Sequence, residues 1–284
     1  MTTSSRIAFC LLLILSCAAS PVVASAPSDA QVVKLERFRK ALWTVKVTLN
    51  GKTGNFLFDT GGGQTLVAER FAAGWDCDFW GRTTGYNMFG ERFDSPHCDD
   101  VEIRVGDVEL TRVNVGKIDF SGHFPEGTEP DGLLSLDAFD GKAITLDQAN
   151  ATLVIESSAS LQQRVARMTE LSFRVSRECS GKCLSVFVGI PRAQGTTWLT
   201  LDTGAGGVSL IAKEYATAFN LEASEKEQRL KVDIAPGVLV DSPVLVRDMI
   251  MDGNLGQPFL SQYVITLDLA TSRMWIAPRA ERTS

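Results

Sequence analysis

The chain has 284 residues, 44% hydrophobic and 22% charged, an ordinary globular composition with apolar material for one or two packed domains. Its net charge is −6 and no run of Lys or Arg forms a stripe, which excludes nucleic acid as the expected partner.

The first element is a targeting segment. "MTTSSR" carries one positive charge, and the apolar "IAFCLLLILSCAAS" is too short for a comfortable membrane span. Residues 1–24 read as a signal peptide, cut after Val22-Val23-Ala24, with no stable membrane insertion afterwards. The competing readings are an uncleaved anchor helix and lipidation at Cys17 in "ILSC", where Leu15 occupies a usually small position. A short N-terminal segment, residues 25–40, follows. Removal of the signal leaves Cys77, Cys98, Cys179 and Cys183, an even number in an exported chain, which predicts two disulfides. Nearness in sequence selects Cys77–Cys98 and Cys179–Cys183. A zinc site using "HCDD", His97–Asp100, is the rival, but consecutive ligands on one strand point to alternate faces, so no metal is expected.

After residue 40 the pattern is β. "LWTVKVTLNGKTGNFLFDTG" alternates around an Asn-Gly turn, a hairpin signature. "TTGYNMFGERFDSP" reads as a long hairpin with a Gly-framed tip, and "DDVEIRVGDVELTRVNVGKID" turns at Gly106 and Asp107. Helical patterns cover only Thr65–Trp75, Leu161–Met168 and Ser209–Leu221. The class is mainly β, with few short helices.

The chain also repeats itself. "FLFDTGGGQTLVAERFAAGW" returns as "WLTLDTGAGGVSLIAKEYATAF", placing Asp59 and Asp202 143 positions apart. "DGLLSLDAFDGKAITLDQANATLVI" matches "DGNLGQPFLSQYVITLDLATSRMWI" without gaps at nine of 25 positions, Ile-Thr-Leu-Asp included. This is a duplicated lobe. The copies occupy 41–157 and 184–280, joined by a linker at 158–183. The span from Asp-Thr-Gly to the later Asp-Gly is 73 residues in the first copy and 51 in the second, so the hairpin is an insertion in one copy only.

These residues resemble the pepsin-like and retropepsin-like aspartic proteases. In that family each lobe supplies an apolar-apolar-Asp-Thr-Gly turn and a later apolar-apolar-Gly segment packed behind it. Phe58-Asp59-Thr60-Gly61 and Leu201-Asp202-Thr203-Gly204 match the first motif; "DGLLSLDAF" and "GNLGQPFL" are similar to the second. The resemblance covers nearly all of Ala41–Pro278 and is nearest to small exported bacterial members. Two positions depart from it: Ser135 stands where Gly is expected, and Asn254 replaces an apolar residue. The resemblance implies a two-lobed, pseudo-twofold β-barrel fold acting on protein or peptide substrates as a monomer. Asp59 and Asp202 are the implied catalytic pair, with Thr60, Gly61, Thr203 and Gly204 supporting their loops. The inserted hairpin becomes a flap, with Tyr86, Met88 and Phe89 as candidate substrate contacts.

The chemistry fits those residue types. Hydrolysis without a metal, cofactor or covalent nucleophile needs a base to activate water and an acid to protonate the carbonyl oxygen. Two carboxylates about 3 Å apart share one proton and divide those roles; the aspartic-protease dyad is itself the standard instance of this rule. Relatives often place a hydroxyl directly after Asp-Thr-Gly, which lowers the carboxyl's pKa, whereas here Gly62 and Ala205 have none. Activity is therefore expected to extend toward neutral pH. "GGGQT" as a phosphate loop fails because no βαβ pattern surrounds it. A hydrolase using His97 or His123 as base has no recognisable motif, and both read as loop residues. The remaining alternative is a catalytically silent binding protein on the same fold; retention of both Asp-Thr-Gly motifs argues for the enzyme. Export is expected to the bacterial periplasm or cell surface.

Overall fold

The computed structural model describes residues 29–39, 41–224 and 226–279; the predicted signal segment, with Cys10 and Cys17, lies outside them. The first hairpin forms as its pattern requires. Leu42–Leu49 and Lys52–Phe58 pair antiparallel, from Thr44 opposite Leu57 to Leu49 opposite Lys52. Between them Asn50 and Gly51 both take positive φ, +46° and +75°, the two-residue turn that matches strand twist.

Both segments after the Asp-Thr-Gly turns correct the helical reading. Leu66–Ala68 is a strand and only Glu69–Ala72 is helical; Ser209–Ala212 is a strand followed by two short 3-10 turns. Leu66–Ala68 is buried throughout and sits between Gly116–Ile118 (parallel) and Gly132–Leu133 (antiparallel). A strand buried on both faces is apolar throughout, so its periodicity cannot be told from that of a buried helix. The expected helix Leu161–Met168 instead runs Ser158–Val165. Ser157 caps it reciprocally, its hydroxyl accepting from Ser160 N at 3.1 Å while Ser160 Oγ accepts from Ser157 N at 2.9 Å.

The duplication is legible strand by strand. In one sheet the order is 42–49, 52–58, 132–134, 66–68, 108–118, 92–105; in another it is 183–192, 195–201, 253–255, 209–212, 238–247, 228–235. Parallel and antiparallel pairings correspond throughout. The first sheet closes on itself where Val47 pairs with Val105. Its excess residues build Trp80–Tyr86, which lies outside Arg92–Val105 and is the near arm of the inserted hairpin. The Asp-Gly of each copy has a packing reason. A Cβ on Gly132 would lie 2.5 Å from Leu66 O, and one on Gly253 2.4 Å from Leu210 O.

A third sheet joins the lobes, in the order 31–34, 152–156, 143–147, 263–268, 273–278, 169–171. At its centre the duplicated Ile-Thr-Leu-Asp segments pair antiparallel with each other, Thr145 opposite Thr266, their hydroxyls 2.8 Å apart. The repeat therefore generates its own local twofold. Residues 158–183 fold as the helix and as strands of two sheets.

Both disulfides have the expected pairing, Cys77–Cys98 with Cα atoms 6.3 Å apart and Cys179–Cys183 at 5.4 Å. Cys98 is thereby unavailable to a metal. His97 departs from the loop reading: it lies within Arg92–Val105 and is 4% exposed. Among the described residues no helix is long and apolar enough to cross a membrane.

Candidate active site

Each Asp-Thr-Gly turn begins where a buried strand, Lys52–Phe58 or Gly195–Leu201, runs out at the lobe interface. The turns are anchored alike: Asp59 N donates to Leu134 O and Asp202 N to Leu255 O, each at 3.0 Å. The threonines then cross between lobes. Thr60 Oγ1 donates to Leu201 O at 2.6 Å and accepts from Thr203 N at 3.1 Å. Thr203 Oγ1 donates to Phe58 O at 2.8 Å and accepts from Thr60 N at 3.0 Å. Each lobe thus gives partners to two buried backbone groups of the other. Leu184 N adds a further cross-lobe bond to Gly63 O at 2.7 Å.

This clasp brings the two carboxyls together, each against the glycine of the opposite loop. The glycines are required by that proximity. A Cβ on Gly204 would stand 2.6 Å from Asp59 Oδ2, and one on Gly61 2.8 Å from Asp202 Cγ. Burial, then the facing negative charge of Asp202, pushes the Asp59 carboxyl up to about 7, against opposing bonds from Gly61 and Gly204 amides. Burial also raises Asp202, with the Asn254 amide as the strongest opposing influence.

The surroundings of the two carboxyls differ, and here the positions that departed from the family pattern matter. Asp59 Oδ1 accepts from Gly61 N at 2.9 Å. Asp202 Oδ1 accepts from Ala205 N at 3.0 Å, and its Oδ2 accepts from Asn254 Nδ2 at 2.7 Å. Asn254 is 1% exposed and its Oδ1 accepts from Leu210 N at 2.7 Å, so both ends of its amide are bonded. Its first-lobe counterpart is Leu133, at the same register beside Leu66. Gly62 has a steric reason, because a Cβ there would meet Leu133 Cδ2 at 2.6 Å. Ser135 is buried; its N–H donates to Thr65 Oγ1 at 3.2 Å, as Gly256 N does to Ser209 Oγ at 3.1 Å.

Asp137 braces the first loop from behind, accepting from Thr65 N at 3.0 Å and Thr65 Oγ1 at 2.7 Å. Burial nevertheless pushes its carboxyl up to about 7. A carboxyl raised above its unfolded value near 3.9 holds an extra proton in the folded state between the two. Its stabilising contribution is complete below about pH 4 and is lost as pH rises through about 7. Asp137→Asn should therefore flatten the decline of urea-unfolding free energy between pH 4.5 and 8 by up to about 3 kcal/mol. Equal declines for wild type and variant would contradict this.

A cleft of about 1120 Å³ lies over Asp202 and the first loop's glycines, bounded by the inserted hairpin and the second lobe. Tyr86, Met88 and Phe89, at the hairpin tip, line it, and Tyr86 is 59% and Phe89 49% exposed. The tip touches the opposite wall, where Ile250 N donates to Met88 O at 3.1 Å. That wall includes Phe187, Trp198 and Met249–Met251, whose one mark in the sequence is the apolar run "MIM" in a polar stretch. The hairpin's base is also tied to the second lobe. Lys182, inside "CSGKC", donates to buried His97 Nε2 at 2.6 Å and to Asp99 Oδ1 at 2.8 Å.

Residues 45–138 match the family model described as aspartyl protease, a stretch running from the first hairpin through the first Asp-Thr-Gly turn to Leu136–Phe139. The mainly β, two-lobed architecture is consistent with that fold. No curated protein matches the chain.

Proposed function

We propose that this aspartyl-protease-type protein is an exported endopeptidase that hydrolyses peptide bonds with a water activated between Asp59 and Asp202. The observation that carries the reading is the meeting of two Asp-Thr-Gly loops from opposite lobes, clasped by reciprocal threonine bonds, with each carboxyl set against the glycine of the other loop. Such a pair holds one proton between two acids. The ionised carboxylate takes a proton from water as its oxygen attacks the carbonyl carbon, while the protonated partner gives its proton to the carbonyl oxygen. The tetrahedral diol then collapses: one diol hydroxyl returns its proton to the dyad, the amine leaves with the proton taken from water, and the C–N bond breaks. The dyad ends with one proton, as it began.

The hairpin tip, with Tyr86, Met88 and Phe89, acts in this reading as a flap that covers a bound peptide and excludes water. One chain supplies both carboxyls, so a monomer suffices. Two disulfides fit an oxidising compartment, which for this chain we read as the periplasm or cell surface.

The working pH follows from the pair. Above about 7 the second carboxyl also ionises, no acid remains, and activity falls. No hydroxyl follows either Asp-Thr-Gly, as Gly62 and Ala205 show, which keeps that limb near neutrality. The purified chain is expected to cleave an unfolded protein substrate up to about pH 7, with inhibition by pepstatin, read by gel and mass spectrometry from pH 3 to 8. Absence of cleavage at every pH sinks the enzyme reading and leaves a peptide-binding protein on the same fold.

A further inference from the structure

We infer that Asn254 is a positioning residue that makes the two carboxyls unequal, holding Asp202 as the ionised base and leaving Asp59 to carry the shared proton. The inference rests on the endopeptidase reading for its catalytic meaning, but its physical content is a statement about charge in the resting protein.

The duplicated lobes provide an internal control. Strand order, Asp-Thr-Gly anchoring and threonine bonds correspond between them, and each carboxyl takes one bond from its own loop's backbone, Asp59 from Gly61 N and Asp202 from Ala205 N. The side chains that face the carboxyls differ one residue past each Asp-Gly glycine. There the second lobe has Asn254, 2.7 Å from Asp202 Oδ2, and the first has Leu133, with a methyl group packed against Gly62. An amide N–H can only donate, so this bond favours an acceptor-only, ionised oxygen. The orientation of the amide is fixed from the other end, because Asn254 Oδ1 accepts from the backbone N–H of Leu210. Turning the amide over would face two donors together and place its oxygen against the carboxylate. Buried and doubly bonded, Asn254 is a preset donor rather than an adaptable one.

Among the described residues no such side-chain donor faces Asp59; its neighbours are the Gly61 and Gly204 amides and Asp202 itself. A proton shared by the pair therefore resides on Asp59 and points at Asp202. The other charged groups lining the cleft, Arg174, Glu178 and Asp252, belong to the second lobe, and Asp252 is held by Trp198 N at 3.0 Å. In catalysis Asp202 then accepts the proton from water and Asp59 donates its own to the carbonyl oxygen. Asn254 also supplies to Asp202 what Ala205, having no hydroxyl, does not.

The test is site-resolved titration of the full protein labelled with aspartate 13C at the carboxyl carbon, signals being assigned with Asp59→Asn and Asp202→Asn. In wild type Asp202 should ionise first and Asp59 should remain protonated to near neutrality. Asn254→Leu should move the Asp202 step up by about one pH unit, the size of one hydrogen bond to a charged group. The acid limb of kcat/KM should move with it. The exchange Asn254→Leu with Leu133→Asn should reverse the order, Asp59 ionising first. Should the Asn254 variants not fold, Leu133→Asn alone keeps Asn254 and should lower the Asp59 step. Asp59 ionising first in wild type, or an unmoved first step in the folded variants, overturns the inference. If no peptide is cleaved, the endopeptidase reading falls while the carbon titration still decides this one.

Discussion

Asp59→Asn and Asp202→Asn should each lower kcat on a cleaved peptide by about a thousandfold or more, the range lost with a general acid or base. The substitutions are nearly isosteric, and the amide can still hydrogen-bond across the pair. Asn at 59 resembles a protonated Asp59 in shape but has no proton to give a carbonyl oxygen. Asn at 202 has no basic oxygen to accept one from water. Stability is expected to move the opposite way. Burial raises both carboxyls, so ionising them in the folded state costs free energy that a neutral amide does not. At pH 8 the Asp59→Asn protein should melt at or above the wild-type temperature. Loss of activity together with a lowered melting temperature would mean that the carboxyl supports the fold; retained activity in either variant would remove the dyad mechanism.

Thr203→Val should destabilise the protein by about 2 to 5 kcal/mol and lower kcat by about a hundredfold. Valine has threonine's shape without the hydroxyl, so packing is conserved and the change isolates hydrogen bonding. Two groups lose the hydroxyl at once: Thr60 N loses it as acceptor and Phe58 O as donor. Thr203 is 2% and Thr60 4% exposed, so water does not replace the bond without rearrangement. Both orphaned groups flank Asp59, which ties the structural loss to the geometry of the dyad. Thr203→Ser retains the hydroxyl and should recover most of the stability and rate. Urea unfolding and steady-state kinetics of the three proteins check this, and a Val variant as stable as the Ser variant would refute the clasp.

Much of this site is written in short-range pattern. Two Asp-Thr-Gly turns after apolar runs, the Asn-Gly hairpin and the paired Asp-Gly segments are local signals whose spacing survives duplication, so they could be read without coordinates. The strands Leu66–Ala68 and Ser209–Ala212 were read as helix because their partners are distant in sequence; ladders to Gly116–Ile118 and Val244–Arg247 decide them. His97 looked like a loop residue for a similar reason, since its environment is supplied by Lys182, 85 positions away.

Asn254 shows the limit most clearly. As a letter it was a blemish in an apolar motif, and nothing nearby indicates that its amide reaches an aspartate 52 positions earlier. Asp137 is similar, an acid in an apolar stretch whose burial and bonds to Thr65 come from packing. The sequence by itself determined that there are two lobes, that each brings one Asp-Thr-Gly, and that only the first carries a long hairpin. Duplication and turn chemistry are encoded locally. Tertiary structure alone decided that the threonines cross, that the hairpin tip meets Ile250, and that the two carboxyls are not equivalent. Those facts depend on which buried donors face which acceptors, and such facing exists only once distant strands are paired.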